Sequence, residues 1–108
     1  MSQYAHQIVL TTCPDQAIAE QIAQTLVTEG LAACVNILPA MHSIYTWKGK
    51  MHSATEHLLL IKSQTRRYPA LQDRLRALHP YELPEIIAVP ITHGLPDYLT
   101  WLTLPDKN

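Results

Sequence analysis

At 108 residues the chain has room for one hydrophobic core, and residues 1–108 read as a single domain. Apolar residues make up 47% and charged residues 16%, a balance that excludes intrinsic disorder. A net charge of −1 supplies no attraction for nucleic acid or an anionic membrane, so neither is an expected partner. The local basic residues Lys62, Arg66, Arg67, Arg74 and Arg76 read as a solvated helix face.

No apolar run reaches the ~18 residues that a membrane span needs. Met1 to His6 lacks the charged-then-apolar pattern of a secretion signal, so the expected compartment is the cytoplasm. Two cysteines, Cys13 and Cys34, are too few for a disulfide framework, and each reads as a small buried apolar residue.

In chain order, Ile8-Val9-Leu10 is a β-prone run closed by Cys13-Pro14, and predicts a first strand. Asp15 is placed to cap the helix that follows. There Ile18, Ile22 and Leu26, with Ala19, Ala23 and Val27 alongside, form one apolar stripe over about four turns. Gly30 supplies its stop. Ala33–Trp47 and Lys50–Ser63 flank Lys48-Gly49, whose glycine suits a tight turn, and so predict a long hairpin. Leu58 to Ile61 is apolar on both faces, as a central strand would be.

Tyr68, Leu71, Leu75 and Leu78 fall at helical spacing, and His79-Pro80 ends that helix. Ile86–Ile91, with Pro90, reads as a fourth strand, and Leu95–Leu104 as a short C-terminal helix. The expected fold class is α+β: a ferredoxin-like βαββαβ antiparallel sheet with two packing helices. Pro39 and Pro90 then lie on the two edge strands, where a missing N–H donor is tolerated. Open edges, together with a hairpin that outruns its own domain, predict an oligomer.

Several segments together resemble the CutA family of divalent-cation tolerance proteins. They are Thr11-Thr12-Cys13-Pro14-Asp15, Leu31-Ala32-Ala33-Cys34-Val35-Asn36, the stretch from Ser43 to Lys50, the stretch from Glu56 to Ser63, and His79-Pro80-Tyr81-Glu82-Leu83-Pro84-Glu85. Thr92-His93-Gly94 and Asp97 to Trp101 extend the match over nearly the whole chain. The resemblance implies a homotrimer of hairpins around a threefold axis, a role in the response to metal ions, and copper binding in some members. It brings no established reaction, so no enzyme activity and no catalytic residue are expected. By fold analogy the architecture is also similar to PII-type signalling trimers, which bind small effectors between subunits. A PII-like sensor without a metal role and a purely structural trimer are the competing readings.

If Lys48-Gly49 is a two-residue loop, Trp47 opposes Lys50, Tyr45 opposes His52 and His42 opposes Thr55. Alternation then puts Tyr45, Trp47, His52, Glu56 and Lys62 on one face. With Tyr81 and Glu82 they form a candidate cleft for a small ligand. Plain packing of the aromatic rings, with Glu56 and Lys62 at polar margins, accounts for the same pattern.

His79, with Glu82 and Glu85 nearby, offers donors suited to zinc or copper, and equally reads as a helix stop before a rigid turn. No trio among the six histidines converges within one chain. In the family's copper binders a cysteine stands at the place of Thr11, and two histidines at the place of Leu78-His79. Only His79 carries over. Cys13, on the same side of an ideal strand as Thr11, is the candidate substitute, so any divalent ion (copper included) is expected to be weakly held. A place near a helix N-terminus could lower the Cys13 pKa and is the best single hint of reactivity, but nothing in the sequence sets a base beside it.

Overall fold

The computed structural model describes residues 3–103. Met1 and Ser2 of the N-terminal stretch, and Leu104 of the expected last helix, lie outside the described residues.

The first strand, β1 (His6–Cys13), gives way to α1 (Gln16–Thr28) where Asp15 takes an extended conformation and accepts the Ile18 N–H at 2.9 Å. That bond satisfies one of the donors a helix start leaves unpaired. The far end closes on Gly30, at φ 72°, with Gly30 N–H on the Val27 carbonyl and Leu31 N–H on that of Leu26. This pair of bonds is a Schellman cap, and it requires the left-handed residue that glycine supplies. Ala19, Ile22, Ala23 and Leu26 are buried, while Val27, at the margin of the stripe, is largely exposed.

β2 (Cys34–Trp47) and β3 (Lys50–Gln64) form the hairpin. Lys48 (φ 52°) and Gly49 (φ 79°) are both left-handed, as a two-residue turn matched to strand twist requires. The pairings Trp47↔Lys50, Tyr45↔His52 and His42↔Thr55 follow the expected register. Between Leu38 and Met41 the register shifts, because Pro39 and Ala40 together stand opposite His57. Ala40 sits at φ 57° in this bulge.

After a short 3-10 turn at Thr65–Arg67 come α2 (Tyr68–Leu78), β4 (Ile87–Pro90) and α3 (Pro96–Leu102). β4 and α3 are each shorter than the sequence suggested. The four-stranded sheet has the order β2-β3-β1-β4 with antiparallel neighbours throughout, so Pro39 and Pro90 do fall on its edges.

The odd-numbered residues Val9 and Cys13 of β1, with Leu59 and Ile61 of β3, pack beneath Ile22 and Leu26 of α1 and Leu71 and Leu75 of α2. Even-numbered residues face the other side, where Lys62 meets Tyr98 of α3. Beyond the body the hairpin projects, stretching the chain to 45 × 26 × 23 Å and leaving Ile44 and Met51 74% and 79% exposed. Arg74, on the basic helix face, forms a bidentate bridge to Glu29 of α1. Among the described residues no helix is long and apolar enough to cross a membrane.

Candidate functional site

Where the hairpin leaves the body, β3 carries Glu56, buried to 6% exposure although it is a carboxylate. Burial alone would raise its pKa. Hydrogen bonds from Ser43, Tyr81 and Thr12 outweigh that effect and hold the carboxyl below its ordinary value. The Tyr81 hydroxyl donates at 2.7 Å. Glu56 is thus a buried carboxylate surrounded by neutral donors from β1, β2 and the α2–β4 loop.

Ser43 reaches Glu56 because of the bulge. Strict alternation from the core residues Val35 and Ile37 would turn Ser43 and Tyr45 towards the helices. The extra residue at Pro39-Ala40 switches them to the side of Met41, which pairs with Glu56. Sequence reasoning passed over Thr12 and Ser43; for Ser43 the proline inside β2 was the one available signal.

His79 caps the end of α2 and is buried. Its Nε2 lies 2.7 Å from the Thr12 carbonyl, and its Nδ1 lies 3.2 Å from the Tyr81 backbone nitrogen. A carbonyl only accepts and an amide N–H only donates, so Nε2 carries the proton and Nδ1 gives its lone pair to Tyr81. The ring also packs against the Tyr81 ring at a centroid distance of 4.7 Å. In turn Tyr81 delivers its hydroxyl to Glu56. Burial first, then the Glu56 carboxylate, raises the Tyr81 pKa well above its ordinary value, with smaller contributions from Cys13 and Tyr45.

Cys13 is the small buried apolar residue expected of it, while the idea of a lowered pKa is overturned. It ends β1 under the helices, fully buried, and is not at the helix N-terminus, where Asp15 stands. Burial, then the negative charges of Glu56 and Asp15, push its thiol up to about 11. Thr11, also fully buried, has no partner for its hydroxyl among the described residues. The half-buried His57 opposes Cys13 across β1 and β3.

The remaining cleft residues share a face without converging in one chain. Tyr45 stacks on His52 at 5.6 Å on the same side as Glu56. Trp47 pairs with Lys50 at the hairpin end, roughly 20 Å along β3 from Glu56, with the Lys48 ammonium over its ring. Lys62 lies six residues the other way, with Nζ 3.4 Å from the Tyr98 hydroxyl. Glu82 is exposed. Among the described residues, no group of three or more His, Cys, Asp or Glu side chains is arranged to hold a metal ion.

Comparison with known proteins gives the following. The family described as CutA1 divalent ion tolerance protein matches residues 7–104. The divalent-cation tolerance protein CutA of Thermus thermophilus is 50% identical over 96 residues, covering 89% of this chain and 93% of that one. Protein CutA of Mus musculus is 47% identical over 91 residues, covering 84% of this chain, which spans only about half (51%) of the mouse protein's length. Among solved structures, the periplasmic divalent cation tolerance protein CutA of Archaeoglobus fulgidus superposes with a TM-score of 0.90 at 37% identity, covering 93% of this chain and 97% of that one.

Proposed function

Because the chain belongs to the CutA1 family of divalent-ion tolerance proteins, we propose that it works as a homotrimer and contributes to cation tolerance by holding a small ligand between its subunits. The observation that carries this reading is the projecting hairpin. Ile44, Tyr45 and Met51 are exposed on it, and β2 and β4 offer unpaired edges. Exposed apolar surface on an open strand is a template for further copies of the chain. Hairpins packed around a threefold axis would cover that surface and bring the separated cleft residues towards those of a neighbouring copy. Glu56 would then be the wall of the cleft that favours a cationic or hydrogen-bond-donating ligand. The role is one of tolerance rather than catalysis, and the proposed compartment is the cytoplasm.

Sedimentation equilibrium tests the assembly. The expected mass is three times the 12.2 kDa chain, with Ile44→Asp shifting it towards smaller species. A monomer at low micromolar concentration overturns the reading.

A further inference from the structure

The family's name implies a divalent ion, and the residues available to one can be tested donor by donor. His79 has no lone pair to give, since Nδ1 accepts the Tyr81 N–H at 3.2 Å and Nε2 donates to the Thr12 carbonyl at 2.7 Å. Cys13 is fully buried within the hydrophobic core beneath the helices, away from solvent. Thr11 offers a buried hydroxyl, a weak donor. Glu56 is already engaged by hydrogen bonds from Tyr81, Ser43 and Thr12. These side chains do not fit a divalent ion.

We infer that His79 in this chain is a positioning residue for the Tyr81–Glu56 pair and not a metal ligand. The ring bridges the end of β1 and the α2–β4 loop, joining His79 to Thr12 across 67 residues of chain. One nitrogen is fixed to the end of β1, and the other holds the Tyr81 backbone, which sets where the Tyr81 hydroxyl arrives. The tilted contact between the two rings, at 51°, adds a second constraint on the Tyr81 side chain. A metal on Nδ1 would displace the Tyr81 amide and free the loop that carries the hydroxyl. Binding there would therefore dismantle the Glu56 network rather than add to it. The inference does not depend on the number of subunits, because all four groups belong to one chain.

Nitrogen-15 NMR of the imidazoles in the full-length assembled protein tests this without a variant. The expected His79 spectrum has a protonated Nε2, an unprotonated Nδ1, and a coupling across the hydrogen bond from the Tyr81 amide to Nδ1. Added Zn(II) should leave those signals in place up to several equivalents, while the exposed His42, His52 and His93 shift first. His79→Gln, whose amide can both donate and accept, should keep Cu(II) affinity within about twofold by calorimetry. It should also preserve the Raman signature of a tyrosine donating to a carboxylate, which His79→Ala should lose. Movement of the His79 signals at stoichiometric Zn(II), or a tenfold loss of Cu(II) affinity in His79→Gln, would overturn the inference. So would an unchanged Tyr81 signature in a folded His79→Ala protein.

Discussion

The Tyr81 hydroxyl lies 2.7 Å from Oε2 of Glu56, across a sequence separation of 25 residues, and so ties the α2–β4 loop to the central strand β3. A hydrogen bond to a charged acceptor contributes about 1.5–3 kcal/mol, and more is at stake where the acceptor is buried. Tyr81→Phe keeps the ring but removes the donor. Urea unfolding should show a loss in that range, and hydrogen exchange should quicken across the loop from Pro80 to Ile86. An unchanged midpoint would mean that water replaces the hydroxyl at no loss.

The same network sets an acid limit on stability. The Glu56 pKa is lower in the folded chain than the ordinary 4.5. In acid, the unfolded state therefore takes up its proton before the folded state does. The contribution is complete above about 4.5 and is lost as pH falls through the folded value. Glu56→Gln should be less stable than the parent at neutral pH, and the two curves should converge in acid. Parallel curves would locate the acid sensitivity in another group.

Cys13 sets the opposite limit. Its folded pKa of about 11 lies above the ordinary 9.0, so between those values the unfolded thiol ionises while the folded one stays protonated. Stability should fall by roughly 1.4 kcal/mol per pH unit across that window. Cys13→Ala should remove this alkaline slope, leaving the contribution of Tyr81. At pH 8 a thiol reagent should modify the half-buried Cys34 in the native protein and spare Cys13. Rapid labelling of both thiols would show that the end of β1 opens.

Most of the fold was legible because each element carries a period of its own. Ile18, Ile22 and Leu26 mark one helix, and Leu71 and Leu75 the other. Lys48-Gly49 fixed the hairpin register through a turn that needs positive φ, and the two prolines marked the edges. The site was less legible, for a physical reason. That Glu56 and Tyr81 belong to one site could be proposed from the family resemblance, but their direct bond depends on how the α2–β4 loop packs. Donor inventory suggested His79 as a ligand because a sequence shows which atoms a residue has, not which of them its neighbours already use. The burial of Cys13 was legible from its residue type, but the hint of a lowered pKa was misplaced, because the helix cap stands two residues further on at Asp15. Ala40 gave no warning of positive φ, since alanine rarely adopts it.

That last residue yields the sharpest test of the bulge. Ala40 is exposed and left-handed at φ 57°, a conformation costing an L-residue about 1–2 kcal/mol relative to glycine. Glycine gives back part of this through its freer unfolded chain, about 0.4–1 kcal/mol. Ala40→Gly should therefore stabilise the chain by somewhat under about 1 kcal/mol, and Ala40→Val should destabilise it, since a β-branched residue is a true outlier at positive φ. Deleting Ala40 sets Pro39 alone opposite His57 and leaves Met41 paired with Glu56, so the Ser43 and Tyr81 bonds to Glu56 can persist. What the deletion removes is the bend and added twist of the bulge, which aim the hairpin. Folded protein of altered sedimentation mass is the expected result. If the deletion variant keeps the parent's mass while Ala40→Gly loses stability, the bulge neither strains the strand nor directs the hairpin.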